Sequence, residues 1–353
     1  MRASAVRSVA ALAIVLVGSD AQAQSAIGER LSVEFVGAVN TSTADFDEPF
    51  VFLDLTATGR ITDDLDVVIR PYARRLPGGN WSKEMYQLQV RYQPSTRVPV
   101  RIDAGIISSP LGLIALEMRP DRNPVIGTPS YYFTPLPSFD GRQDRVQVLS
   151  GGYPLGALAS FSGARWDARA GVTDGTPARN RRMMWADRPP ARAQFVAGGG
   201  VTPMAGLRFG FGYARGVYRE PRLTPQQTPA MSATVFNLEG EYAIGYTRLA
   251  GEWIVDAFET ATDPAVSRGF VVEAVQTISP RWYGAVRTAG TSTPALVSGN
   301  RIRRSSGAAE AILGFRFNTL ITFKAGYQGS RPYAAQQWDH AAAVSVVLFK
   351  RWW

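Results

Sequence analysis

LDVVIRPYAR (residues 65–74), YQLQVRYQ (residues 86–93) and VPVRIDAGI (residues 98–106) decide how this chain folds. In the first run Leu65, Val67, Ile69, Pro71 and Ala73 alternate with Asp66, Val68, Arg70, Tyr72 and Arg74. In the second, Tyr86, Leu88, Val90 and Tyr92 alternate with Gln87, Gln89, Arg91 and Gln93. In the third, Val98, Val100, Ile102, Ala104 and Ile106 alternate with Pro99, Arg101, Asp103 and Gly105. Successive side chains of a strand point to opposite faces, so each run has one apolar side and one polar side. A sheet built from them meets apolar solvent on one face and water on the other.

A soluble sandwich would alternate too. These runs, however, are roughly ten residues long, the length of a tilted strand that crosses a bilayer. Gln, Arg and Asp fill one parity and Tyr, Val and Ile the other, as in a transmembrane barrel. The N-terminus agrees: Arg2 and Arg7, the apolar run Val9 to Val17, then Ala21, Gln22 and Ala23 form the pattern of a secretory signal peptide over residues 1–23. The expected mature chain, residues 24–353, is one outer-membrane β-barrel. No later run is apolar enough for a membrane helix. With no cysteine, the fold rests on hydrogen bonding and packing rather than disulfides.

The expected fold class is all-β, a closed antiparallel barrel of about sixteen strands. They are placed near 31–39, 50–60, 65–74, 83–93, 98–107, 146–162, 166–174, 192–202, 206–217, 232–243, 246–257, 267–278, 281–289, 307–317, 320–328 and 340–350. Connections from even to odd strands are short, such as Gly163 to Arg165 and Ile244 to Gly245. The long ones all run from odd to even, including Ser108 to Arg145, Gly175 to Ala191 and Gly290 to Ser306. Short turns at one end and long loops at the other characterise outer-membrane barrels. Val146 to Ser162 is too long for one strand and holds Gly151, Gly152 and Pro154. It is either two strands or one broken by a bulge, so fourteen and eighteen strands stay open.

The chain closes on AVSVVLFKRWW, residues 343–353. A last strand ending on an aromatic resembles the C-terminal strand that outer-membrane insertion machinery recognises. Counted from Trp353, Phe349 and Val347 fit and Arg351 departs; counted from Trp352, Leu348, Val346 and Val344 fit and Lys350 departs. Over nearly all its mature length the chain resembles the general bacterial porins in architecture. That resemblance implies that the longest loop, after strand five, folds into the lumen, and it suggests a homotrimer. The arginine-rich character also resembles the phosphate-selective porins, but lysine is scarce, at Lys83, Lys324 and Lys350 only.

Residues 108–144 are therefore the expected constriction. Pro110, Pro120, Pro124, Pro129, Pro135 and Pro137 stiffen the segment. Glu117, Arg119, Asp121, Arg122, Asp140, Arg142, Asp144 and Arg145 alternate in sign and would set a transverse field across a pore. The polar parity of the strands adds Arg70, Arg74, Arg91, Arg101, Asp103, Arg169 and Arg316 as lumen-facing residues, because a guanidinium facing lipid costs about 2–4 kcal/mol at midplane. Rings of basic groups favour anions, and the formal charge of +9 reinforces the attraction.

The expected function is passive diffusion of small hydrophilic solutes, with an anion preference. The alternative is a non-conducting barrel acting as a receptor or as a lipid- or polysaccharide-binding or export component. Arg179, Arg181, Arg182 and Arg188, and Arg301, Arg303 and Arg304, fall in expected external loops, where they meet lipopolysaccharide phosphates, act as an anion funnel or are ordinary solvated charge. Export to a membrane keeps nucleic acid away. There is one histidine, His340, and no G-x-S-x-G turn, so no enzymatic activity is expected. No His/Cys ligand set points to a transition metal, and no cofactor is implied.

Overall fold

The computed structural model describes residues 30–44, 48–94, 99–133, 135–139, 146–149, 154–174, 193–219 and 229–352. The expected leader, Trp353 and the Arg179 to Arg188 cluster lie outside them. Sixteen strands follow one another: β1 (Leu31–Ser42), β2 (Phe50–Thr62), β3 (Leu65–Arg75), β4 (Trp81–Tyr92), β5 (Val100–Ile106), β6 (Leu155–Ser162), β7 (Trp166–Thr173) and β8 (Gln194–Met204). They continue as β9 (Leu207–Arg219), β10 (Met231–Ile244), β11 (Thr247–Phe258), β12 (Ala265–Thr277), β13 (Trp282–Val297), β14 (Asn300–Arg316), β15 (Ile321–Arg331) and β16 (Asp339–Trp352). Each pairs antiparallel with its sequence neighbours, and β16 returns to β1, from Val33 opposite Trp352 to Ser42 opposite Ala343. Closure leaves no unpaired strand edge.

Alternation does what the three runs demand. On β4, Leu88 and Val90 stand exposed on the outer wall while Gln89 is 2% exposed inside. The last strand follows the count from Trp352: Val344 and Val346 are exposed outside, and Val347 and Phe349 pack inside with Val36. Lys350, the residue that departs from the pattern, lies over the Trp352 ring at 5.0 Å.

Three expectations are corrected. Tyr86, assigned to the apolar outer parity, sits where the β3–β4 register shifts, so that Gln87 opposes Arg70 and Met85 opposes Pro71. The extra residue turns inward, its ring 4.5 Å from that of Tyr72 and 4.9 Å from the Arg70 guanidinium. The strand expected over 146–162 starts later: among the described residues it is β6 (Leu155–Ser162), and Val146 to Leu149 belong to the connection before it. The external loop expected at Gly290 to Ser306 is instead a continuous hairpin in which β13 and β14 meet at a two-residue turn. Ser298 (φ 49°) and Gly299 (φ 84°) supply the left-handed pair that such a tight hairpin requires. Arg301, Arg303 and Arg304 are therefore strand residues.

The interior is not uniformly wet, as alternation alone implied. Val196, Ala214, Val235, Ile254 and Val271 on β8 to β12 point inward and form a core with Ile107, Leu111, Ile114, Tyr131, Tyr132, Phe139, Val148 and Leu149. All of the latter lie between β5 and β6, in the segment that fills this side of the barrel.

Candidate pore constriction

The connection from β5 to β6 holds two short helical pieces, a 3-10 turn at Ile114–Glu117 and an α turn at Ser130–Phe133. Its apolar side chains cover the apolar wall, and its polar groups meet specific partners on the strands. Glu252 on β11, 4% exposed, accepts from Tyr131 Oη and Tyr132 Oη, each at 2.7 Å, and from the Ile114 amide at 3.3 Å. Burial, with the Glu252 charge beside it, raises the Tyr131 phenol well above its usual value, which keeps it a donor. Gly112 (φ 87°) lets the backbone pass here, because a Cβ would strike the Tyr132 hydroxyl.

Further along, the Gly127 amide donates to Glu310 Oε1 on β14 at 2.8 Å. Arg287 on β13 donates to Asn123 Oδ1 at 2.8 Å and to the Gly127 carbonyl at 3.1 Å, and is paired to Glu273. Lys324 on β15 donates to the carbonyls of Pro120 (2.8 Å), Val125 (3.2 Å) and Asn123. The proline-rich backbone thus offers carbonyls where it lacks amides, and a buried lysine collects them.

Residues 117–119 cross the interior. Glu117 takes a 2.8 Å bond from Arg248 on β11, while Arg119 reaches Glu34 on β1 at 2.8 Å and Asp121 at 2.7 Å. Burial works to lower the Arg119 guanidinium, but its hydrogen bonds and charge pairing with Asp121 and Glu34 outweigh it and raise it. The alternating charges of this stretch are thus tied into pairs rather than left as an open field; of the four described, Arg122 is exposed and has no ion pair to a described carboxylate. Asp140, Arg142, Asp144 and Arg145 lie outside the described residues.

A cavity of about 710 Å³ lies between this segment and the strands around β1 to β5. Arg30, Arg60, Arg70, Arg91, Arg101, Arg119, Arg122 and Arg351 line it, against Glu34 and Asp66. Behind the lining, Asp54 binds Arg70 at 2.8 Å, and Asp103 bridges Arg91 (3.0 Å) and Arg101 (2.9 Å). Five of the eight guanidinium groups are thus held by carboxylates, counting Arg60 with Asp66 at 3.9 Å and Arg119 with Glu34 and Asp121, while Arg30, Arg122 and Arg351 have no ion pair among the described residues. Of the other residues singled out from sequence, Arg74 lies inside near Glu84. Arg169 lies 3.9 Å from Glu239, and Arg316 stacks on Tyr283 at 4.9 Å, both away from the cavity. Arg30, Arg60, Arg351 and Glu34 were not singled out, although Arg60 and Glu34 share the inward parity of their strands. Glu252, Glu310, Arg287 and Lys324 gave no signal as anchors, since their partners in the infolded segment lie more than a hundred residues away.

With this geometry in hand, solved structures supply the comparison. The OmpT loop-deletion mutant of Vibrio cholerae superposes with a TM-score of 0.58 at 10% identity, over 91% of this chain and 98% of that one. Salmonella typhi OmpF gives 0.57 at 12% identity, over 91% and 97%. An anion-selective porin from Comamonas acidovorans gives 0.54 at 10% identity, over 91% and 99%. The architecture is that of the sixteen-stranded porins. No family model matches the chain, and no curated protein matches it in sequence. What is shared is the barrel; the arginine-lined cavity is described from this chain alone.

Proposed function

We propose that this chain is an outer-membrane porin, a passive diffusion channel for small hydrophilic solutes with a preference for anions. The observation that carries the reading is the cavity beside the infolded segment, lined by eight guanidinium groups and two carboxylates. Confined between low-dielectric walls, such a lining attracts anions and repels cations. An exposed outer wall of Leu88, Val90, Phe211, Leu238, Val272, Val286 and Leu313 suits hydrocarbon, and the leader expected at residues 1–23 would deliver the chain to the envelope. The long connections would then face outward and the short turns the periplasm.

A structure of Vibrio cholerae OmpT is described as a trimer form, which supports a trimer here. The phosphate-selective reading has less behind it: Lys324 is committed to loop carbonyls, and the parity of β4 and β16 places Lys83 and Lys350 on the outer wall. The pore is narrow, since apolar packing occupies the side opposite the arginines. Purified protein in a planar bilayer should give steady, ohmic single-channel steps, and vesicles containing it should swell in small sugars and progressively less in larger ones. A correctly folded barrel that passes no current and no sugar overturns the proposal and favours the receptor alternative.

A further inference from the structure

On the largely lipid-suited outer wall, three arginines gather at one place. The outward residues of β12 are Phe270, Val272 and Ala274 until Arg268; those of β14 are Leu313, Ala311, Ala309, Gly307 and Ser305 until Arg303; those of β15 are Phe323, Ala325, Tyr327 and Gly329 until Arg331. All three stand at the long-connection end, where the apolar run stops. Register gathers them: Arg268 opposes Ser292, Arg303 opposes Pro294, and Arg331 opposes Gly307. A shallow groove of about 440 Å³ is lined by Arg268 and Arg331, floored by small residues such as Gly290 and Gly307 and bordered by Trp253, Phe270 and Trp338.

The groups are held ready. Arg331 lies 5.8 Å from the Trp338 ring and donates to Ser305 Oγ at 3.0 Å, and Arg303 donates to Ser292 Oγ at 3.1 Å. Unlike most lumen arginines, none of the three has an ion pair to a described carboxylate. Arg75 and Lys83 on β3 and β4 and Arg215 on β9 also face outward, Arg215 tied to Glu259 at 2.9 Å, but here three guanidinium groups without an ion pair to a described carboxylate meet two tryptophans in one sector of the rim. On the reading that this wall faces a membrane, we propose that the rim of β12 to β15 binds a phosphorylated lipid headgroup of the surrounding leaflet. Guanidinium groups grip phosphate oxygens in pairs, and cations at a membrane surface are drawn to anionic lipid. From β12 to β15 is three strand spacings, roughly 14 Å, which suits a headgroup with more than one phosphate, its acyl chain lying along Phe270 and Trp253.

The test uses the full-length barrel in detergent, with bisphosphorylated lipid A as probe and its dephosphorylated form as control, followed by native mass spectrometry and by Trp338 fluorescence. R268Q/R303Q/R331Q should bind the phosphorylated lipid about tenfold more weakly and the control no differently, and R268Q alone should show a smaller loss in the same direction. The zero-current potential of the pore should be unchanged in both variants. Equal binding by wild type and both variants overturns the proposal, and so does a change of oligomeric state with lipid binding intact, which would make the rim a subunit contact. Failure of the porin reading would appear separately, as absent conductance in a wild type that still binds the lipid.

Discussion

Glu252 shows how single residues set this interior. One buried carboxylate receives two phenols and an amide from the infolded segment, so its loss strands three donors at once. Each costs about 1–3 kcal/mol when left unpaired in a buried site. Glu252→Ala should therefore lower the urea midpoint of vesicle-reconstituted protein markedly and make the channel current noisy, while Glu252→Gln, which keeps an acceptor, should lie between. An unchanged midpoint in Glu252→Ala would contradict the anchoring role. Arg119 acts in the same way toward β1: removing its partner by Glu34→Ala frees one end of the crossing stretch and should raise single-channel conductance. None of these roles was legible in the sequence, because Glu252 looks like any other inward carboxylate and its tyrosines lie 120 residues upstream.

At the scale of elements, each of the sixteen expected strands overlaps an observed one, although β6 starts later and β13 and β14 run further toward each other than expected. Period-two alternation works where one face is lipid-suited and the other polar, as in β3 to β5. It fails at the bulge that turns Tyr86 inward, since one extra residue reverses parity, and at the β13–β14 hairpin, where Ser, Thr, Gly and Arg resemble loop composition. The interior core was hidden for a related reason: Val196, Val235, Ile254 and Val271 make β8 to β12 apolar on both faces, which alternation cannot interpret. Only the infolded segment explains it. Ile254→Ala should consequently cost about 2–5 kcal/mol, as for a truncation in a packed core, measurable by equilibrium unfolding in vesicles. Deleting residues 108–149 should lower the thermal unfolding temperature of the barrel as well as widen the pore. A deletion variant as heat-resistant as wild type would show that the apolar wall does not depend on its cover.

At the scale of the whole molecule, charge and packing divide the barrel. One side is closed by the segment between β5 and β6, held by Glu252, Arg287, Glu310 and Lys324; the other keeps its arginines around an open space. The surplus of positive charge was visible in composition, and the inward facing of Arg70, Arg91 and Arg101 in the alternation. Their convergence with Arg30 and Arg351, which the start of β1 and the end of β16 bring to the same end of the closing pair, required the closed sheet. The most direct measurement is the zero-current potential of the reconstituted channel in a potassium chloride gradient, for wild type and for Arg60→Gln/Arg91→Gln/Arg101→Gln/Arg122→Gln. The predicted result is a potential of the sign that marks chloride preference, falling toward zero in the variant; a cation-selective wild type, or a variant with an unaltered potential, would contradict it.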